Sequence, residues 1–558
     1  MSQQHPFQKK EAIQVTLDDV LREKYRRSLY AFAVDFWPIV EPGEPLVETQ
    51  LMRALAQHGQ KFVEAMVADL RGEEWAKGYF QDLGIEVPPG SMKSLMFTVI
   101  MPAWAWGPYG SPWLRFIFST YEHGLTLRDS RRRRDLMKSA EYQRLFGHLV
   151  EFKKDTDQQN FYENQRRGFC MSTSVGGSGT GHRAHCFVGD DLMNAIQAHS
   201  DTAYSAVVEH LSAMSSRGVR QPVYRRLIIG QRLSEQDPGG WARSKGFEVL
   251  SLPTEFDPDT PAKTRIFMDW RTKRGELLNP SRMDAESVEK ARLELGPYSF
   301  PAQHNQRAIP VDGGVIKLGW FVDRHALPRS GYGAMFSFWD TAYTQKAQND
   351  QSARVVLGIR NDGKGVDVLH AEGHHLEMHA LEAEVISDSK EWRPAVVAIE
   401  NKASGISLIQ NLRASPRFPF HIHEINIPSG FDKNARAHAA TPFIARFLVG
   451  IDWSQPWAAA LKAQLETFPA GKKRDIADAF VHAILYVQEH YRFGEQSAAL
   501  EAAAKAAAIP VLEHLSDKAP PKTGFNEKPR EESPAKPEAQ PYYDEDYGAP
   551  IGGDAGTW

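Results

Sequence analysis

The sequence predicts an α/β chain built as two domains, followed by a tail that does not order. Three observations carry this reading. Short apolar segments alternate with helical stretches on both sides of a charged connector. An early glycine-bearing loop, VPPGSMKS at 87–94, runs straight into the apolar segment 95–100. After residue 330, three carboxylates, Asp340, Glu400 and Asp475, fall at the ends or starts of separate strand-like and helix-like segments. A chain of 558 residues exceeds what one core usually serves, and 42% apolar with 11% aromatic residues is ample for two.

Taken in order, residues 16–35 predict a helix, with Thr16 as N-cap and acids in the first turn. Residues 48–70 predict a second helix, and a turn at 84–90 leads into the loop. WLRFIF at 113–118 reads as a buried strand, 127–138 as a basic helix, and AHCFV at 184–188 and YRRLII at 224–229 as further short strands. Strands alternating with helices pair as a parallel sheet. The stretch 254–282, rich in Asp, Pro, Thr and Arg, reads as a connector or lid. A second α/β unit starts near Gly333. Its strand 334–339 ends at Asp340, with 353–359 as a hairpin partner, and 395–399 ends at Glu400. A helix over 476–487 opens at Asp475. From about Ser516 the composition shifts to Lys, Pro, Glu, Ser and Gly, too poor in apolar surface to order, and SAALEAAAKAAA before it is helical by propensity alone. The expected division is a helical extension at 1–55, a first domain at 56–255, a linker or lid at 256–325, a second domain at 326–495, and a helix with a disordered tail at 496–558.

The totals exclude several classes. A net charge of −4 gives no global basic field, so any contact with nucleic acid comes from local patches. Cys170 and Cys186 are too few for a disulfide framework and fit a reducing compartment. The start MSQQHPFQKKEAIQ has no apolar signal core, and no run approaches the ~18 apolar residues that span a bilayer. The expectation is a soluble intracellular protein with no membrane contact.

The 87–94 loop has the chemistry of a phosphate cradle. In the loop that Pro89 opens, the backbone N–H groups of Gly90, Ser91 and Met92 face a polyphosphate at a helix start, Lys93 neutralises its terminal oxygens, and Ser94 holds Mg²⁺. A bland Pro-Gly turn is the competing reading. The strand 184–188 runs into Gly189-Asp190-Asp191, where Asp190 would order the metal shell and Asp191 orient the attacking water. The run VGGSGTG at 175–181 reads as a flexible loop near that site rather than a dinucleotide fingerprint.

Two-metal phosphodiester cleavage needs carboxylates that bridge cations roughly 4 Å apart. Asp340 and Glu400 on strand ends and Asp475 opening a helix come in the order an RNase H-like fold requires. Asp350 and Asp478 are candidates for outer or fourth-ligand roles, and Asp478 shares a helix face with Asp475 at i+3. Singly, each acid is more often a cap or a surface charge. The arginine run 131–134 reads by default as a solvated helix face, with phosphate contact or interdomain pairing as the alternative. Asp432-Lys-Asn-Ala-Arg436 places two cations i+3 apart beside the second acid set, where they can grip a backbone phosphate. His374, His375 and His379 lack the Cys or carboxylate partners of a zinc site and read as a polar face.

With those residues in hand, about 30–495 of the chain resembles the large terminase subunit of tailed bacteriophages. The motifs that carry the resemblance are PPGSMKS, FSTYEHGLTLRDSRRRRDLMKSAEYQ, TSVGGSGTGHRAHCFVGDD and LIIGQRLSEQDPGGW in the first half. GPYSFPAQHNQRAIPVDGGVIK resembles the joining segment, and FWDTAYTQKAQNDQSA, VVAIENKASGISLIQNL, DKNARA and KRDIADAF match the second half. Met92 stands where the loop pattern has glycine, Asp191 where many relatives carry Glu, and Arg474 at an often acidic position. The resemblance implies an N-terminal P-loop (RecA/ASCE-like) ATPase domain, a C-terminal RNase H-like nuclease domain and a disordered C-terminal tail. It implies ATP and Mg²⁺ or Mn²⁺ as cofactors, with Gln231, Arg232 and Asp237 as polar members of a motif coupling hydrolysis to movement. Asp340, Glu400 and Asp475 would be metal-binding catalytic acids, with Asp350 less securely so. The implied partners are double-stranded DNA, the portal protein of a procapsid, a small terminase subunit and further copies in a ring. The implied setting is the host cytoplasm, transiently on the procapsid and not in the mature virion. Two readings stay open beside it: a helicase–nuclease or transposase-like ATPase on cellular DNA, and a DNA-binding scaffold that hydrolyses nothing.

Overall fold

Ser28 breaks the first predicted helix in two. Its backbone is extended (φ −145°, ψ 108°) and its hydroxyl accepts from Ala31 N, so Leu17–Arg27 ends and a new helix, Leu29–Val40, starts under its own cap. The fold is given by a computed structural model, which describes residues 15–177, 181–309, 314–341, 351–402, 404–428, 430–471, 473–491 and 493. Asp350, part of the 175–181 run, the SAALEAAAKAAA segment and the tail lie outside the described residues. None of the described helices is long and apolar enough to cross a membrane.

The first sheet has seven strands: β1 (Asp82–Glu86), β2 (Phe116–Thr120), β3 (Phe161–Glu163), β4 (Phe169–Ser174), β5 (Cys186–Asp190), β6 (Arg225–Gly230) and β7 (Glu248–Ser251). Their spatial order is β3-β4-β2-β5-β6-β1-β7, and every pair except β3–β4 is parallel. The predicted turn at 84–90 starts later, because Gly84 to Glu86 belong to β1, and the predicted strand at 113–118 begins only at Phe116. β2 and β5 are buried along their whole length, as strands covered on both faces must be. With β6 alone between β1 and β5, the loop after β1 and the acids ending β5 face each other at one carboxyl edge. The helix after the loop is π-wound over Leu95–Ile100 and α-helical over Met101–Trp106.

The connector carries the short hairpin β8 (Lys263–Thr264) and β9 (Phe267–Met268), then the helix Ala285–Gln303. Gly296 kinks that helix with φ +73°, and a Cβ on it would lie 2.9 Å from Pro442 Cα, so glycine is required for this close approach.

The second sheet is mixed: β10 (Val322–Asp323), β11 (Tyr332–Asp340), β12 (Ser352–Arg360), β13 (Val366–His374), β14 (Val396–Glu400), β15 (Ile422–Ile425) and β16 (Val449–Ile451), in the order β10-β16-β13-β12-β11-β14-β15. β11, β12 and β13 form an antiparallel meander, and β14 and β15 add in parallel beyond β11, the arrangement of an RNase H-like sheet. Trp339 pairs with Ile399, so the next residues, Asp340 and Glu400, end side by side. The helix Asp475–His490 packs across β11 and β12. It has no side-chain N-cap of its own; Gln464 Oε1 accepts from Ile476 N and Ala477 N at 2.9 and 3.1 Å instead.

Arg225, wholly buried at the start of β6, anchors the first sheet to the helix Gln50–Leu70 by donating to Asp69 Oδ2 at 2.9 Å and to Ala65 O at 3.2 Å. Asp69→Ala leaves that guanidinium buried without its partner and is expected to cost about 3–5 kcal/mol in urea unfolding. Adding Arg225→Met should recover most of the loss, and a single-variant cost below about 1 kcal/mol would show the pair to be dispensable.

Candidate active sites

At the carboxyl edge of the first sheet, two residues of the 87–94 loop adopt left-handed backbone: Gly90 with φ +73° and Met92 with φ +58°. This is the conformation that a glycine supplies freely, and a methionine there is held at a cost of order 1 kcal/mol. The Ser91 hydroxyl closes the turn by donating to Pro88 O at 2.6 Å. Helical backbone then begins at Lys93, which is buried with its Nζ 3.7 Å from Asp191 Oδ2. The Ser94 hydroxyl donates to the Asp190 carboxyl, while Asp190 Oδ1 is buried with no partner. Burial, and then the charge of Asp191, raise Asp190 to about 8 against the pull of Lys93 and Ser94. An orphaned carboxylate oxygen beside a lysine, a serine hydroxyl and a helix start fits a divalent cation carried by a polyphosphate.

Of Gln231, Arg232 and Asp237, the first lines the same crevice as Asp191. Arg232 is engaged within its own turn: Nε lies 3.0 Å from both Asp237 oxygens and Nη2 donates to Ser234 O. Asp237 in turn accepts from Leu233 N and Gly240 N, each at 2.6 Å, and caps the helix Pro238–Ser244. The arginine run corrects its default reading, because only Arg131 is fully on the solvated face. Arg132 pairs with Glu41 and Arg134 with Asp157, while Arg133 is buried 3.7 Å over the Phe118 ring and donates to Thr98 O in the helix after the loop.

The second site forms where β11 and β14 end. Burial and a hydrogen bond to Glu400 push Asp340 well above the usual carboxylate range. Burial opposes ionisation of Glu400 too, but the bond from Asp340, with His482 and Lys402 nearby, holds it below its ordinary value. The two acids thus share one proton, as buried like charges must. Asp478 is the third acid whose charge reaches Asp340. It is 1% exposed and gripped by Lys433 Nζ and Arg436 Nη2, each at 2.8 Å, with His482 Nε2 3.9 Å away. Burial would raise Asp478, yet Arg436, His482 and Lys433 outweigh it and keep it charged. Asp475, one turn earlier, accepts from Gln351 N at 3.1 Å.

Among the described residues, no group of three His, Cys, Asp or Glu stands ready to hold a metal ion. The Asp340–Glu400 pair fits one side of a cation, which would replace the shared proton, while Asp478 is committed to two side-chain cations. Of the histidines, His374 ends β13 and His379 is an exposed neighbour of Glu377. The signal that separates Asp478 from Asp475 was in the sequence: Asp478 lies between two alanines on the apolar face of its helix, with a histidine at i+4.

No family model and no curated protein matches the chain. Among solved structures it is similar to the large terminase of bacteriophage HK97, at 13% identity and a TM-score of 0.33, covering 82% of this chain and 99% of that one. The nuclease domain of the large terminase from bacteriophage SPP1 with bound Mn is similar at 13% identity and a TM-score of 0.22, over 28% of this chain and 89% of that one. RuvC of T. thermophilus in complex with a Holliday junction is similar at 15% identity and a TM-score of 0.19, over 28% and 96%. At these scores the likenesses carry no weight for function, which rests on the residues themselves.

The left-handed loop yields a prediction. Met92→Ile places a β-branched residue at φ +58° and is expected to lose about 1–2 kcal/mol in urea unfolding. Met92→Gly should keep the fold with no loss of stability. Equal behaviour of the two variants would remove backbone conformation as the constraint on this position.

Proposed function

We propose that the chain is a DNA-packaging motor that also cuts its substrate: it hydrolyses ATP at the first site to move double-stranded DNA, and cleaves that DNA at the second. One observation supports this above the rest. Each sheet gathers buried acids at a carboxyl edge, the first opposite a lysine and serine loop, the second as a proton-sharing pair beside a cation-held third acid.

At the first site Lys93 offsets charge on the terminal phosphate oxygens, while Ser94 and Asp190 are the residues that would hold Mg²⁺. Asp191, on the solvent side of Lys93, orients the attacking water. Gln231 beside it is placed to sense whether the terminal phosphate is present. At the second site Asp340 and Glu400 would hold Mg²⁺ or Mn²⁺, with Asp478 completing the set; a bound cation there stabilises the attacking and leaving oxygens of phosphodiester hydrolysis. Asp475 extends the acidic edge. In this reading residues 56–255 are the motor and 326–495 the nuclease, and the chain works as a ring on the portal of a procapsid with a small subunit supplying site recognition.

The test is a paired assay on wild type, Lys93→Ala and Asp340→Ala, following ATP hydrolysis and Mg²⁺- or Mn²⁺-dependent cutting of plasmid DNA. Lys93→Ala should lose at least ~10²-fold in hydrolysis and keep cutting, and Asp340→Ala the reverse. A wild type that turns over no ATP even with DNA and procapsids would leave the scaffold reading in its place. Hydrolysis and cutting that need no procapsid but unwind or join DNA would favour the helicase or transposase-like reading.

A further inference from the structure

One contact between the two halves of the chain lies on the loop that follows β5. From the end of β5 the chain passes through the short turn Ala195–Gln197 to His199, whose ring stacks on His438 with centroids 3.3 Å apart and planes at 7°. His438 lies on the helix Lys433–Ile444. One turn earlier on that helix, Asn434 Nδ2 donates to His199 O at 2.7 Å. Gly430, just before the helix, lies so near Gln197 that a Cβ would come within 2.5 Å of its side-chain nitrogen. On its other side this loop is tied to the turn after β6, where Ser234 Oγ donates to Ala198 O at 2.7 Å.

The same helix holds Asp478. Lys433, the residue before Asn434, and Arg436 are the two cations that grip its carboxylate. Three donor contacts from two side-chain cations occupy most of the lone pairs of this carboxylate, so a divalent ion competes with them for it. Any displacement of Asn434 carries Lys433 with it, since they are neighbours on one helix. Among the described residues, the Asn434 bond is the directional hydrogen bond made to His199. In the stack, His199 Nε2 and His438 Nδ1 are buried without hydrogen-bond partners, so neither atom fixes the offset of the rings. A cleft of about 660 Å³, lined by His199, Glu235, Asp432, Lys433, Asn434 and Arg474, leaves room beside the contact.

We propose that Asn434 and His438 are positioning residues that tie the cation grip on Asp478 to the loop following Asp190 and Asp191, so that the nucleotide state of the first site sets whether Asp478 is available to a divalent cation at the second. This rests on the two-activity reading above.

The experiment titrates Mg²⁺ in DNA cutting by the full chain, with and without a non-hydrolysable ATP analogue, for wild type, Asn434→Ala and His438→Ala. In wild type the analogue should move the half-maximal Mg²⁺ concentration about fivefold or more. Both variants should still hydrolyse ATP and cut, with that shift lost. Asn434→Gln, which keeps a donor, should restore part of it. Amide hydrogen exchange over 433–444, read without cutting, should respond to the analogue in wild type and not in Asn434→Ala. A loss of packing alone would lower both rates and leave the shift in place, so variants that retain it overturn the tie. So does a wild type with both activities and no shift. A wild type with neither activity brings down the two-activity reading itself, and the tie with it.

Discussion

Buried carboxylates cannot stay charged next to one another unless a proton or a cation answers them, and most of the polar architecture here follows from that. Asp190 beside Asp191 is answered by Lys93 and the Ser94 hydroxyl, and even so its ionisation is held off by burial. Asp340 and Glu400 answer each other with a shared proton. Asp478 is answered twice, by Lys433 and Arg436. Elsewhere in the core the molecule meets the opposite problem, buried guanidinium groups, with aromatic faces and carbonyls: Arg133 over Phe118, Arg225 on Asp69 and two backbone oxygens. The acids near the reactive edges carry the unfinished solutions, which is where an incoming divalent cation has something to gain.

Strand order turns that chemistry into geometry. Parallel strands deliver their C-terminal residues to one edge, so the loop after β1 meets the acids after β5 across β6 without any long-range device. In the second sheet the parallel pairing of β11 with β14 sets Asp340 beside Glu400 by register alone. The third acid needs a helix, and the helix needs Gln464 from a neighbouring element to satisfy its first amides.

What the sequence revealed and what it hid divide along the same physical line. Local patterns were legible: apolar runs ending in Asp340, Glu400 and Asp190 became strands ending at those residues, because side chains at strand ends need no knowledge of distant partners. Breaks decided by a single hydrogen bond were not. Ser28 has the composition of a helix interior residue as much as of a cap, and only the bond from Ala31 N selects the cap. The arginine run looked solvated because nothing within 131–134 reveals that Phe118, Glu41 and Asp157 wait for three of its members. Between Asp475 and Asp478, spacing favoured neither; the alanines flanking Asp478 and the histidine at i+4 are the local signal, and the packing of the helix Asp475–His490 onto β11 and β12 turns it into burial.

The close approach of Gly296 to Pro442 bears on the helix Lys433–Ile444 as a lever. Pinned near its C-terminal end against a backbone with no room to give, the helix has its fulcrum there, and its other arm, at the Asn434 end, is held by side-chain contacts alone. At 1.5 Å per residue that arm is about 12 Å long, so a tilt of about 5° swings its tip by about 1 Å. A displacement of that size takes a 2.8 Å ion pair beyond hydrogen-bond length while barely disturbing the pinned end. The missing Cβ of one glycine in the connector therefore fixes the point about which the helix that grips Asp478 would turn.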